Sequence, residues 1–507
     1  EDWVASEYDE LGYRTSVSSS LGVRQELVRD PFGHVHALQA QDEFGSWQAR
    51  FRGDGIGREV ERRLPGGVVS SWERDAFGLP LCQRTLVGAQ EVSQVGYRWQ
   101  GQQLVGLVDA LEGLTSFQYD ARSRLVAARR PDGTLQHRAA PPLDALLRTL
   151  ARPGSTPSPG VEPLPGDGPR FQYDELGNLV ERRDANGSRW HYVYDAVGLL
   201  SEVVRPDGAV VRFAYDALGR RVLKRGTQGE VRWLWDGDSP VHELGSQEPM
   251  TTWLFEPGRP APLAKLQGDK RYGILTDHLG TPSALYDDGG HLAWKGRLDI
   301  NGSLRTDVAQ TCCPWRWPGQ YEDEETGLYY NRFRYYDPTT GQYISQDPIG
   351  LLGGLDPYAY TDDPLTRVDP FGLDDGHHTV PRKLMDMMKD KGMLTEDVRK
   401  ALDDPRRTGT VMLDHGTHGK VHGELSGFLK DRYPGLEMRN GFQHGNDWKN
   451  YLDHIESEGK LSRNTILGDL EDFYHKHLET KGLVDAKKID EFKKGFDHDA
   501  GKIKACS

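Results

Sequence analysis

Three consecutive segments, FQYDELGNLVERRDANGSRWH, YVYDAVGLLSEVVRPDGAVVR and FAYDALGRRVLKRGTQGEVRW, align without gaps and place Tyr173, Tyr194 and Tyr215 21 residues apart. A fixed period of this length marks a stacked-repeat architecture. Looser copies come earlier: SEYDELGYRTSV, VRDPFGHVHALQ and FQYDARSRLVAARRPDGTLQH. Each unit reads as strand, turn, strand, turn. The Asp-x-x-Gly element supplies a tight turn in which glycine accepts a positive φ. Val, Leu and Arg alternate in the flanking strands, which makes one face apolar and the other charged. One unit cannot bury its apolar face alone. Stacked copies form a long sheet that must curl or be covered.

The composition agrees. The apolar fraction is 36%, with 59 Gly and 29 Pro, which favours short strands and many turns over long helices. A chain of 507 residues exceeds what one core organises, so two or three domains are expected. No apolar run reaches the roughly 18 residues a transmembrane helix requires. No signal peptide is evident, and with Glu1-Asp2-Trp3 at its start the chain reads as a fragment or a processed product. Cys82, Cys312, Cys313 and Cys506 show no metal-type spacing and read as free thiols of a reducing compartment. The net charge of -14 excludes a generally basic nucleic-acid coat. Residues 139–170, rich in Pro, Gly and Ser, read as a loop or insertion between repeats.

Charge usage marks a boundary. Residues 1–373 hold four lysines against 36 arginines, whereas residues 374–507 hold 16 lysines and seven arginines, with ten of the 17 histidines. Just before the break stands PLTRVDPFGL, ending at Leu373, and 22 residues before its Asp369 the segment QDPIGL carries Asp347. Two carboxylates are what aspartyl-type peptide hydrolysis requires, one ionised to activate water and one protonated to donate. Asp-Pro-x-Gly also suits an ordinary β-turn, and from the residues alone both readings stand.

The repeats resemble the YD repeats of Rhs proteins, of the C component of insecticidal toxin complexes and of teneurins. The resemblance extends to DHLGTPSALYDDGG (277–290) and to GQYEDEETGLYYNRFRYYDPTTGQYISQDPIGLLGGLDPYAY (319–360). It implies a mostly β fold, a YD-repeat sheet wound into a hollow cocoon and followed by a small α-rich toxin domain. The divisions would be a shell over 1–318, a core hallmark and self-cleaving segment over 319–373, and a toxin over 374–507. Pro364, Asp369, Pro370, Gly372 and Leu373 match the family's cleavage signature. The resemblance therefore implies scission of the Leu373–Asp374 bond by Asp347 and Asp369, with Arg334 orienting a carboxylate. An open adhesive β-solenoid is the competing architecture.

In the last 134 residues the apolar period changes to three or four, as in RKLMDMMKDKGM, NDWKNYLDHIESEG and NTILGDLEDFYHKHLETKG. A small α-rich domain is expected, with a short hairpin around RTGTVMLDHG. His377 and His378 are adjacent, and His415, His418 and His422 follow. The last two are four apart, a spacing that can grip one metal from a helix. The segment GHHTVPRKL…HGTHGKVHG resembles the GHH subgroup of HNH/endonuclease VII-type toxin nucleases, which have a ββα-metal core. That likeness implies His378 as general base and His377, His418 and His422 as ligands of a divalent metal (Mg, Mn or Zn), with His415 a further candidate. Arg382 and Lys383 would hold a substrate phosphate. The base-orienting Asn of the HNH pattern is missing between His378 and His415, where Thr408, Thr410 or Asp414, or Asn440 or Asn446 from elsewhere, would have to serve. The family further implies a DNA substrate, a cognate immunity protein, and export of a cytoplasmic product to a target-cell cytoplasm. Export would run through a type VI or contact-dependent apparatus reached by an upstream region. The alternatives are another enzymatic cargo, such as an RNase, or a teneurin-like binding module.

Overall fold

The computed structural model describes residues 2–138 and 169–373, apart from 12, 31, 56, 122, 247 and 349–355. Beyond these it describes residues 377–378, 410–411, 425, 428–433, 436, 446–457, 466, 469–470 and 472–473. The chain forms two compact units, Glu1–Asp374 and Asp375–Ser507.

The first unit is almost entirely antiparallel β-structure. Thirteen strands, β1 (Val4–Tyr8) to β13 (Leu135–His137), form one sheet in sequence order, and fourteen, β14 (Arg170–Tyr173) to β27 (Leu304–Ala309), form a second. Neither sheet closes on itself among the described residues. A third, four-stranded sheet follows: β28 (Tyr321–Asp323), β29 (Leu328–Asn331), β30 (Arg334–Asp337) and β31 (Gln342–Tyr343). Residues 319–373 thus fold as part of the same compact unit as the repeats. The insertion expected at 139–170 lies, except for its last two residues, outside the described residues.

The repeat chemistry explains the meander. In the turn after β18 (Val210–Tyr215), Asp216 Oδ1 accepts the N–H groups of Leu218 and Arg220, each at 2.9 Å. Gly219 donates its N–H to the Asp216 carbonyl at 2.9 Å and sits at φ +73°, a left-handed conformation that favours glycine. The same two side-chain bonds recur at Asp174 and Asp195, so one aspartate satisfies the backbone of each turn. The tyrosine before the aspartate has its own task. The register slips at Tyr173, Tyr194 and Tyr215, each one residue before the turn. Tyr215 and Tyr119 turn their hydroxyls back to carbonyls fifteen residues upstream, at Leu200 and Leu104, tying one hairpin to the next.

The two long sheets share a core: Leu38, Trp47, Leu64 and Val68 of the first pack with Leu254, Leu263, Leu266 and Leu275 of the second. Ion pairs Arg14–Asp236, Arg62–Glu256 and Arg271–Asp42 span the same two sheets. The four-stranded sheet buries Tyr321, Leu328, Tyr330 and Tyr335 against Tyr192, Val203, Phe213, Trp233 and Trp253. Arg221, at the start of β19 (Arg221–Gly226), fastens that join. Its guanidinium carbon lies 4.4 Å from the ring centroids of both Trp233 and Tyr330, and it pairs with fully buried Asp323. Arg221→Ala strands that carboxylate, with Lys224 Nζ at 3.5 Å as its remaining cation. A loss of about 3 kcal/mol is expected, read by urea unfolding of the full chain; a loss under about 1 kcal/mol would contradict this account of the join.

In the second unit, β32 (His377–His378) pairs antiparallel with β33 (Thr410–Val411), His378 opposite Thr410. Thr410 and Val411, from the segment expected to form a short hairpin, pair here with a segment some thirty residues upstream; the rest of that expected hairpin lies outside the described residues. A run of two β-branched residues suits a strand, but only tertiary structure selects its mate. Helix α1 (Asn446–Ser457) buries Tyr451, Leu452 and Ile455, with Tyr451 against Tyr433; Leu425, Leu429, Ile466, Leu470 and Phe473 are buried as well. Buried Asp469 accepts the hydroxyls of Tyr433, at 2.7 Å, and Tyr451, and pairs with Arg432 at 2.6 Å.

Candidate active site

The tight connection between β29 and β30, with Arg332 at φ +56°, lies along the segment Asp369–Leu373. It holds three of that segment's carbonyls. Asn331 Nδ2 donates to the Asp369 carbonyl at 2.8 Å, the Phe333 N–H to the Phe371 carbonyl at 3.2 Å, and Arg334 Nε to the Gly372 carbonyl. Asp369 Oδ1 accepts the Leu373 N–H at 2.9 Å, the bond that Asp216 makes to Arg220 in the repeats. The Asp-Pro-Phe-Gly-Leu motif is therefore a repeat-type aspartate turn that has been buried, and the turn reading and the carboxylate reading apply to the same residues. Gly372 sits at φ +65°, where a Cβ would lie 2.5 Å from the Asn331 carbonyl oxygen, so the clamp demands glycine.

Arg334 joins the carboxylates. Its Nη2 lies 2.9 Å from Asp347 Oδ2 and 3.1 Å from Asp369 Oδ2, and all three side chains are 1% exposed. Those two oxygens therefore lie within about 6 Å of each other. Nη1 donates to the Pro357 carbonyl at 3.1 Å, and the guanidinium carbon stacks 3.7 Å above the centroid of the Tyr343 ring. Asp369 Oδ2 also accepts the Tyr343 hydroxyl at 2.8 Å.

Burial lifts the Asp369 carboxyl to about 6, with Asp347 adding to the rise, while Arg334, the Leu373 N–H and Tyr343 pull the other way. The consequence for stability has a definite sign. An unfolded chain releases this proton near its ordinary 3.8, whereas the folded shell holds it to about 6. The contribution of this one carboxyl to stability is therefore fully present below the lower value and is lost, by roughly 3 kcal/mol, as pH rises through that window. Urea unfolding at pH 4 and pH 7 should show native stability dropping relative to that of Asp369→Asn as pH rises; a difference between the two chains that does not change with pH would contradict the burial assigned to the carboxyl.

The structure thus brings Asp347, Asp369, Arg334 and Leu373 together; Asp374 lies outside the described residues. So do Arg382, Lys383, His415, His418 and His422, while His377 and His378 are described only as backbone of β32. Among the described residues no three His, Cys, Asp or Glu side chains cluster as a metal site. Sequence reasoning missed Asn331 and Tyr343. Both stand in the tyrosine-rich hallmark at 319–360, and what could have flagged them is a buried-type Asn beside the turn that also carries Arg334.

These features define a class: a YD-repeat β-shell whose terminal segment is gripped by an arginine-bridged carboxylate pair. Residues 164–352 match the Teneurin YD-shell family model and residues 100–135 the RHS Repeat model. The chain belongs to the Rhs/YD-repeat family. It is 34% identical to Toxin protein Tse5 of Pseudomonas aeruginosa, over 74% of this chain and 34% of that protein. It is 30% identical to Double-stranded DNA deaminase toxin A of Burkholderia cenocepacia, over 72% and 28%. Probable deoxyribonuclease RhsA of Dickeya dadantii is 34% identical over 63% and 24%. The chain thus spans about a third or less of the length of these curated relatives. Among solved structures, the Photorhabdus luminescens Tc holotoxin pore matches with a TM-score of 0.54 at 17% identity, over 73% of this chain and 21% of that one. At that identity the likeness speaks for the fold alone.

Proposed function

We propose that this chain is the C-terminal portion of an interbacterial Rhs toxin whose shell cuts its own backbone after Leu373 and frees a metal-dependent nuclease, residues 374–507. The buried Asp347–Arg334–Asp369 cluster, bonded to Leu373 itself, carries the first half of this reading. Asp369 faces three donors, Leu373 N–H, Tyr343 O–H and Arg334, an arrangement suited to its ionised form. It takes a proton from the water that adds to the Leu373 carbonyl. Asp347, sharing the same guanidinium, supplies the proton to the Asp374 nitrogen as the peptide bond breaks. Water is thereby split between a new Leu373 carboxyl group and a new Asp374 amine. Arg334 keeps the pair from carrying two uncompensated charges. A denaturing gel of the freshly made chain tests this reading: two fragments, 1–373 and 374–507, are expected, and a persistently uncut chain would refute it.

The nuclease half rests on the histidine motif and on relatives named as deoxyribonucleases. Of the candidate divalent cations Mg, Mn and Zn, an imidazole set suits Zn best, because Mg and Mn favour oxygen ligands. His377, His418 and His422, with His415, would hold it, and it would supply charge stabilisation at the scissile phosphate when bound. His378 takes the proton from the attacking water, and Arg382 and Lys383 hold the phosphate. A cognate immunity protein, export from the producing cytoplasm through a type VI or similar apparatus, and action in the target-cell cytoplasm complete the reading.

A further inference from the structure

The cleavage motif is held by more than its carboxylates. Asn331 is fully buried, and its Nδ2 donates both to the Asp369 carbonyl and to the Tyr343 hydroxyl. The Asp369 carbonyl can only accept, so it fixes which way the Asn331 amide points. Because Tyr343 accepts from Asn331, its own proton is directed onto Asp369 Oδ2, 2.8 Å away. Asn331 Oδ1 is buried and accepts no hydrogen bond among the described residues. A buried acceptor left open is costly, and a water with polar partners relieves it. That acceptor belongs to the residue whose backbone carbonyl oxygen would meet a Cβ at Gly372, one residue before the proposed scissile residue.

We infer that Asn331 and Tyr343 are positioning residues for self-cleavage: Asn331 aims the Tyr343 hydroxyl at Asp369 and offers its Oδ1 to the attacking water. The inference rests on the reading of this site as self-cleaving. The charged and titratable groups facing Asp369 are Arg334, Asp347, Tyr343 and Tyr360, whose hydroxyl takes the Asp369 N–H at 3.3 Å. Of these, Tyr343 can be altered by a single oxygen while its ring stays stacked on Arg334.

The test follows cleavage in the full chain, made by cell-free translation, stopped in denaturant and diluted into buffers spanning acid to neutral pH. Tyr343→Phe should cleave about 10- to 100-fold more slowly, the weight of one hydrogen bond to a charged group. Its acid limb should move to higher pH by about one unit, because a donor that favours the carboxylate is gone. Slowing without a shifted limb, or a native rate, overturns the inference. Asn331→Ala is the second variant should Tyr343→Phe not fold. The same slowing is expected, and a native rate there overturns the inference equally. Asp369→Asn separates the two levels: cleavage by Asp369→Asn removes the self-cleaving reading itself, whereas an inert Asp369→Asn beside a fully active Tyr343→Phe removes only the positioning roles.

Discussion

Asp369→Asn should leave the chain as a single 57.0 kDa band where the native protein yields two. The amide keeps the shape of the side chain and can still accept the Leu373 N–H. What it cannot do is take a proton from water. Loss of a positioned general base costs about 10²- to 10⁴-fold, enough to turn rapid processing into none on a laboratory timescale. Asp347→Asn should be equally inert, by withholding the proton from the departing nitrogen. The native chain should also process more slowly as pH falls through about 6, where the buried Asp369 carboxyl gains its proton and ceases to act as a base. Pulse-chase gels of the three chains at pH 5 and pH 7.5 check all of this. Cleaved Asp369→Asn would remove the carboxylate pair from the account.

The second large effect concerns the released unit. His378→Ala, introduced into the full chain and allowed to process, should lose plasmid cleavage by about 10²- to 10⁴-fold, again the range for a general base. Native chain supplied with Mg²⁺, Mn²⁺ or Zn²⁺ should linearise and then degrade plasmid DNA, and EDTA should stop it, since imidazole ligands hold the required cation. Intact plasmid under all three metals would rule out the DNase reading. Cleavage that survives EDTA would rule out the metal while sparing a nuclease. His377→Ala should weaken metal binding, read as a raised metal requirement, and so differs in kind from His378→Ala.

What could be read in the sequence was what is local. The strand and turn order follows from Asp and Gly at fixed offsets, because Asp216 satisfies the N–H groups two and four residues on, and Gly219 adopts a positive φ within the same turn. The carboxylates were recognisable because Asp347 and Asp369 share a motif. Their bridge was less so: Arg334 meets Asp369 across 35 residues and Gly372 across 38, contacts that only the folded four-stranded sheet creates. Asn331 and Tyr343 look, in a tyrosine-rich run, like ordinary strand residues, and their roles come from facing a turn contributed by a distant segment. Similarly, the strand pairing of Thr410 with His378 joins segments well apart in the chain, which no local pattern announces. The histidine motif remains a reading of sequence, since among its candidate ligands only His377 falls within the described residues, and there only as backbone.

The central claim is one bond. Amino-terminal sequencing of the smaller fragment, with the mass of the larger one, measures it directly. The account predicts a new amino terminus at Asp374, reading Asp-Asp-Gly-His-His, and a larger fragment ending at Leu373, whose N–H is held by Asp369. A terminus anywhere else, or a fragment pair produced equally well without Asp369, would contradict it.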